Sequence, residues 1–182
     1  MSITFVLMPR ILLIDDDQLL LIALRAAFEQ RARPIVVDTA STAEQALRLV
    51  QLTDYDTIVS DFNMPGLNGI DFLKECKTTR PDIPIILLTG YGTYELEEEA
   101  LNQGAYALVQ KPVDADVFVS VVTRGILRRE VRRAGFIQGQ LFAAENERLS
   151  SRLKAIDARL KDQIEEAKKT NPKKTTDPSE NV

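Results

Sequence analysis

Residues 10–18, RILLIDDDQ, decide the fold. Ile11, Leu12, Leu13 and Ile14 run on without a polar break, as in a strand buried on both faces, and they lead straight into Asp15, Asp16 and Asp17. Similar short runs rich in β-branched residues recur at 35–39, 57–60, 85–89 and 106–109, so residues 10–14 are the first of five predicted strands.

Helical patterns fill the gaps between these runs. Leu19, Leu20, Ala23, Leu24, Ala27 and Phe28 mark the first. The second opens with Ser41 and Glu44, spaced as a capping box, and continues through Ala43, Ala46, Leu47 and Val50. A third is predicted over 68–79 and a fourth over 94–103. A fifth starts near Asp114, with Val117, Phe118, Val121 and Val122 as its buried face. Strand alternating with helix means parallel strands joined by right-handed crossovers, with helices on both faces of the sheet. Five strands favour a flavodoxin-like, doubly wound α/β sheet in the order 2-1-3-4-5, since a closed eight-fold barrel needs far more chain.

The chain of 182 residues suits one such domain, over 9–126, plus an extension. Residues 1–126 carry a net charge of −8 and residues 127–182 one of +4, together the −4 of the whole chain. Arg124, Arg128, Arg129, Arg132 and Arg133 form a basic cluster after the fifth helical pattern. Such a run is ordinarily a solvated helix face, and nucleic acid is not an expected partner. Leu149, Leu153, Ile156 and Leu160 follow 4-3-4 spacing, which suits a short coiled-coil seam in a helical extension over 127–169, with Gly135 and Gly139 as expected interruptions. The composition of 170–182 reads as a disordered tail. No room is seen for a DNA-binding winged helix or a second core.

Histidine is absent, which excludes histidine general acid–base catalysis, histidine metal sites and Ser-His-Asp or Cys-His triads. The single cysteine, Cys76, lies in a helical pattern and reads as a core thiol, in keeping with a reducing cytoplasmic setting. No span is apolar enough for a membrane, and residues 1–8 are too short and too poorly flanked for a signal peptide. A start at Met8 would give a tidier first strand.

In an open parallel sheet, ligands bind beyond the carboxyl ends of the strands, at the switch point between strands one and three. Here strand one ends in Asp15, Asp16 and Asp17, strand three in Asp61, strand four in Thr89 and strand five in Lys111 and Pro112. Taken singly, each has an ordinary reading. Asp17 suits a helix cap, residues 64–69 a turn leading to an Asn68 cap, Thr89 a structural position and Lys111-Pro112 a loop. Taken together, they place acids, a hydroxyl and an ammonium on one edge. Crowded carboxylates are relieved by a hard divalent cation such as Mg²⁺. A carboxylate such as Asp61 can attack phosphorus to form an acyl phosphate, with the metal and Lys111 neutralising charge, Thr89 donating to a phosphoryl oxygen and the small Gly90 leaving room.

The segments ILLIDDDQLL (11–20), DFNMPGLNG (61–69), LLTGYG (87–92) and QKPV (110–113) resemble the response-regulator receiver family over residues 9–126. The resemblance implies a two-component signalling switch that is not itself an enzyme. A sensor histidine kinase or phosphotransfer protein would phosphorylate Asp61, and a downstream protein target would read the result. It implies Mg²⁺ held by Asp16, Asp61 and the carbonyl of Asn63, with Asp15 acting mainly through metal-bound water. Lys111 would pair with the phosphoryl group, Thr89 would be the switch hydroxyl, and Lys111-Pro112 would be cis. The chain departs from the family at the position three before the lysine, often Tyr or Phe, where Leu108 stands. Tyr106 lies two residues earlier, on the same nominal strand face. Asn63 and Tyr91 would flank the attack path. A homodimer through the coiled-coil seam fits the extension. The alternative is a phosphorylation-independent scaffold that uses the fold and the coiled coil for assembly. A Mg²⁺-dependent phosphatase is disfavoured because residue 63 is Asn and not an acid.

Overall fold

A computed structural model describes residues 8–31, 34–90 and 94–170. Five strands and five helices alternate: β1 (Arg10–Ile14), α1 (Gln18–Arg31), β2 (Val36–Ala40), α2 (Ala43–Leu52), β3 (Thr57–Asp61), α3 (Gly69–Thr79), β4 (Ile85–Thr89), α4 (Tyr94–Asn102), β5 (Ala107–Gln110) and α5 (Ala115–Thr170). All four strand pairings are parallel and the order is β2-β1-β3-β4-β5, the doubly wound arrangement expected from the alternation. Compact units divide after Ala134. Tyr91, the end of the LLTGYG segment and the 171–182 tail lie outside the described residues. Among the described residues no helix is long and apolar enough to cross a membrane.

Successive residues of a strand point to opposite faces, so the continuous apolar runs feed two cores. Leu12 and Ile14 of β1 join Ile58, Ile85 and Leu87 against Ala46 and Val50 of α2, Phe72, Leu73 and Cys76 of α3 and Ala100 of α4. Ile11 and Leu13 join Val59, Ile86, Leu88 and Val109 against Leu21, Leu24 and Phe28 of α1 and Phe118, Val122 and Ile126 of α5. Cys76 is fully buried, and burial pushes its thiol up to about 11. It is a packed apolar group rather than a nucleophile.

Several local expectations shift. β2 and β5 each lie one residue later than the apolar pattern placed them. The α2 cap is Thr42, not Ser41: its side chain accepts from the backbone N–H of Gln45, whose Oε1 in turn accepts from the Ser41 N–H at 3.0 Å. The reciprocal pair is therefore Ser41/Thr42 with Gln45, and Glu44 instead lies in the first turn. In α1, Leu19 is 77% exposed and Ala23 is exposed, whereas Leu21 is buried. Residues 19–22 are all apolar, so periodicity cannot choose among them, and the sheet makes the choice. In α5, Val117 is exposed and Phe118 buried, its ring edge-on to Phe28 with centroids 5.3 Å apart. Phe118 shares this buried face with Val121, Val122 and Ile126. Helix α5 also carries through Gly135 and Gly139, the expected interruptions. A glycine costs a helix only about 1 kcal/mol relative to alanine, which weakens a helix without forbidding it.

Close approach explains two glycines that position the rest. A Cβ at Gly69 would lie 2.8 Å from the Asp61 carbonyl oxygen and 2.9 Å from Phe62 Cα, so the loop after β3 can fold back only with glycine there. The Gly69 N–H donates to the Phe62 carbonyl at 2.8 Å and closes that loop. At Gly125 a Cβ would meet Thr57 Oγ1 at 2.9 Å, which lets α5 lie close against the start of β3.

Candidate functional site

The carboxyl edge of the sheet gathers the residues that the strand ends deliver. Asp15 follows β1 and Asp61 closes β3; they are 1% and 5% exposed. Asp16 stands exposed beside them, and one carboxylate oxygen from each of the three lies within 4.8 Å of the others. Lys111, just past β5, reaches across two strands: its Nζ is 2.9 Å from Asp15 Oδ2 and 2.7 Å from Asp61 Oδ1. The Lys111 N–H donates to the Thr89 carbonyl at 2.7 Å, which ties the end of β5 to the end of β4. The Lys111-Pro112 peptide bond is cis. Asp17 is the helix cap that its position suggests, its Oδ1 accepting from the Leu19 and Leu20 N–H groups. Asn63 lies exposed in the turn between β3 and α3, and Asn68 caps α3.

The electrostatics are left open. Burial pushes the Asp61 carboxyl above its ordinary value and the charge of Asp15 adds to this, while Lys111 pulls the other way. Burial alone would lower the Lys111 ammonium, but hydrogen bonds and charge from Asp61 and Asp15 outweigh it and hold its pKa above the usual lysine value. One ammonium shared by two carboxylates, with a third beside them, leaves excess negative charge, and the all-oxygen donor set is the kind a hard divalent cation takes. Both oxygens of Asp15 are engaged, since its Oδ1 also accepts from the Asp17 N–H at 2.8 Å. Thr89 is 2% exposed, and its Oγ1 has no hydrogen-bond partner among the described residues. A buried hydroxyl ordinarily finds a partner, and the described residues supply none for this one. Chain neighbours aside, no heavy atom of the described residues lies within 4 Å of where a Gly90 Cβ would be.

Residues 11–123 match the family described as the response regulator receiver domain. The chain belongs to that family. It is 35% identical over 161 residues to the C4-dicarboxylate transport transcriptional regulatory protein DctD of Pseudomonas aeruginosa, covering 85% of this chain and 34% of DctD. It is 32% identical over 102 residues to the transcriptional regulatory protein FixJ of Bradyrhizobium diazoefficiens, covering 56% of this chain and 50% of FixJ. The chain thus spans a third to a half of the length of these relatives. A receiver domain protein from Clostridium thermocellum superposes with a TM-score of 0.63 at 30% identity, over 68% of this chain and 98% of that one. The beryllofluoride-activated NtrC4 receiver domain dimer gives 0.62 at 28% identity, over 66% and 98%.

Two features of the receiver differ from the sequence reading. Tyr106 and Leu108 do not share a face: Leu108 packs with the α2–α3–α4 core, whereas Tyr106 packs with the α1–α5 core and carries the Arg128 guanidinium 5.2 Å from its ring centroid. β5 begins only at Ala107, so Tyr106 lies before the strand and escapes its alternation. The basic cluster, read as a solvated face, divides in two. Arg124, Arg128 and Arg132 are exposed, but Arg129 is 2% exposed. Its Nη2 lies 2.6 Å from Asp54 Oδ1 and 3.0 Å from Asp82 Oδ2. Arg133 pairs with Asp54 and Asp56. The available signal was the i, i+4 spacing of Arg129 and Arg133 in line with Gly125, on the face that approaches the sheet.

Proposed function

We propose that the receiver is a phosphorylation switch in which Asp61 accepts a phosphoryl group from the phosphohistidine of a sensor histidine kinase or phosphotransfer protein. The observation that carries this reading is the arrangement around Asp61: a buried carboxylate 2.7 Å from Lys111 Nζ, with Asp15 and Asp16 alongside and, on the adjacent strand, a Thr89 hydroxyl that has no partner among the described residues. Asp16, Asp61 and the Asn63 carbonyl would hold Mg²⁺, and Asp15, with both oxygens already engaged, would act through metal-bound water. When bound, the metal supplies positive charge beside the incoming phosphoryl oxygens.

An Asp61 carboxylate oxygen forms the new P–O bond as the P–N bond to the donor imidazole breaks, and the imidazole leaves with the bonding pair. Lys111 holds Asp61 in place beforehand and can transfer its contact to a phosphoryl oxygen once Asp61 is esterified. Thr89 Oγ–H then has an acceptor within the edge it already faces, and the gain of that hydrogen bond favours a displaced β4–α4 segment. Leu108, packed in the core behind, repacks in response without a hydroxyl of its own. The changed surface passes to a downstream protein target.

Incubation with a small acyl phosphate and Mg²⁺ should add one phosphoryl group per chain, detected by intact mass. The Asp61→Asn variant should take none. A wild-type chain that stays unmodified under these conditions, or a modified Asp61→Asn chain, overturns the proposal and leaves the phosphorylation-independent scaffold.

A further inference from the structure

Beyond Gly135 the chain presents a stripe of large apolar side chains that its own unit leaves uncovered. Phe142, Leu149, Leu153, Ile156 and Leu160 are 69%, 46%, 62%, 50% and 50% exposed. A helix of this length draws its stability mainly from packing of an apolar face. Among the described residues of the unit that packing is absent, and the spacing says what kind of surface fits it. With Leu153 and Leu160 at a, and Phe142, Leu149 and Ile156 at d, the phase holds across the stretch, and Asn146 falls on the one remaining a place between Phe142 and Leu149. Upstream the phase fails, since Gly135 and Gly139 take the d and a places and Phe136, Ile137 and Leu141 fall elsewhere.

We propose that residues 142–160 form a parallel, in-register, two-stranded coiled coil with a second copy of this chain, in which the two Asn146 side chains face each other. A 3.5-residue repeat is complementary to a helix with the same repeat, and the chain carries that partner itself. Asn146 selects the orientation. In a parallel pair both copies bring it to the same layer, where each amide bonds the other. In an antiparallel pair an a layer faces a d layer, which buries each asparagine against an apolar residue without a partner.

The test uses the full chain. Sedimentation equilibrium should give a dimer, and Leu153→Glu with Leu160→Glu should weaken it at least about a hundredfold, because each buried leucine contributes about 1.5–3 kcal/mol and 1.4 kcal/mol is tenfold. A chain that is monomeric at every concentration, or a dimer indifferent to these substitutions, overturns the seam. In a Cys76→Ala background, Leu149→Cys should oxidise to a covalent dimer. A persistent dimer that does not cross-link overturns the parallel register. Asn146→Ile should tighten association and admit species larger than a dimer; no change removes Asn146 from the interface. The seam variants should still take a phosphoryl group at Asp61 and Asp61→Asn should still dimerise, so failure here is separable from failure of the phosphoryl-acceptor reading.

Discussion

The two edges of the sheet hold nearly the same ingredients and use them differently. At the carboxyl edge Asp15, Asp16 and Asp61 meet Lys111, and beside them the Thr89 hydroxyl is unpartnered among the described residues. At the amino edge Asp54, Asp56 and Asp82 meet Arg129 and Arg133, and the Arg10 N–H closes on Asp56 Oδ2 at 2.8 Å. Near it, Asp38 accepts from Arg10 and from the Tyr55 hydroxyl. Two guanidiniums face three acids at the amino edge, although Arg129 Nε and Nη1 have no partner among the described residues, while a single ammonium faces three acids at the carboxyl edge. The lesson is that an acidic cluster announces chemistry when its charge is left uncompensated, not simply when acids are near one another.

The largest effect that would break this comparison lies at the amino edge. Asp54→Ala with Asp82→Ala leaves the buried Arg129 guanidinium without its carboxylates and should cost about 3–5 kcal/mol in urea unfolding. Phosphoryl incorporation per folded molecule should be unchanged. Arg129→Met should cost far less, about 1 kcal/mol or below, because the abandoned Asp54 and Asp82 side chains are 52% and 42% exposed and rehydrate. Equal costs for the two variants would show that the amino edge is not held by compensation of a buried charge.

A smaller effect sharpens the other side. Thr89→Val keeps the shape and removes a buried hydroxyl that has no partner among the described residues, so the unphosphorylated protein should be as stable as wild type or more stable, by up to about 1 kcal/mol. The same substitution should leave acceptance at Asp61 intact and abolish the phosphorylation-induced change in hydrogen exchange at β4. A loss of stability above that size would mean that the hydroxyl is already satisfied.

The smallest expected effect is in pH dependence, and its sign differs between the edges. Burial works to raise the Asp38 carboxyl, but its hydrogen bonds from Arg10 and Tyr55 outweigh this and hold it below the ordinary 3.8. Its folded pKa is therefore depressed, and its stabilisation is present above 3.8 and lost as pH falls through the lower folded value. Asp61 is raised above 3.8, mainly by burial, so its ionised form costs stability, and that cost grows as pH rises from 3.8 through the higher folded value. In chelator, Asp38→Asn should lower the unfolding midpoint at neutral pH and Asp61→Asn should raise it, both differences shrinking on acidification. Same-sign shifts would contradict the assignment.

Much of this molecule was legible from local pattern. Strand count, parallel order and the delivery of Asp15, Asp61, Thr89 and Lys111 to one edge follow from apolar runs and from what stands at their ends, because side-chain alternation and chain direction are properties of adjacent residues. The Asp17 and Asn68 caps were legible for the same reason. Thr42 was missed as the α2 cap because Ser41 and Thr42 both suit the role and only the backbone path separates them.

What the sequence determined by itself was therefore the architecture and the composition of the carboxyl edge. Tertiary structure alone decided which of residues 19–22 enters the core, that Phe118 rather than Val117 meets Phe28, that Tyr106 and Leu108 face opposite cores, and that Arg129 leaves the basic cluster to be buried among Asp54 and Asp82. Each of these depends on a partner distant in sequence, and local periodicity carries no information about which distant residue will arrive. The lone ammonium shared between Asp15 and Asp61 belongs with them, since Lys111 stands 96 residues from Asp15 and only the assembled sheet brings it within 2.9 Å.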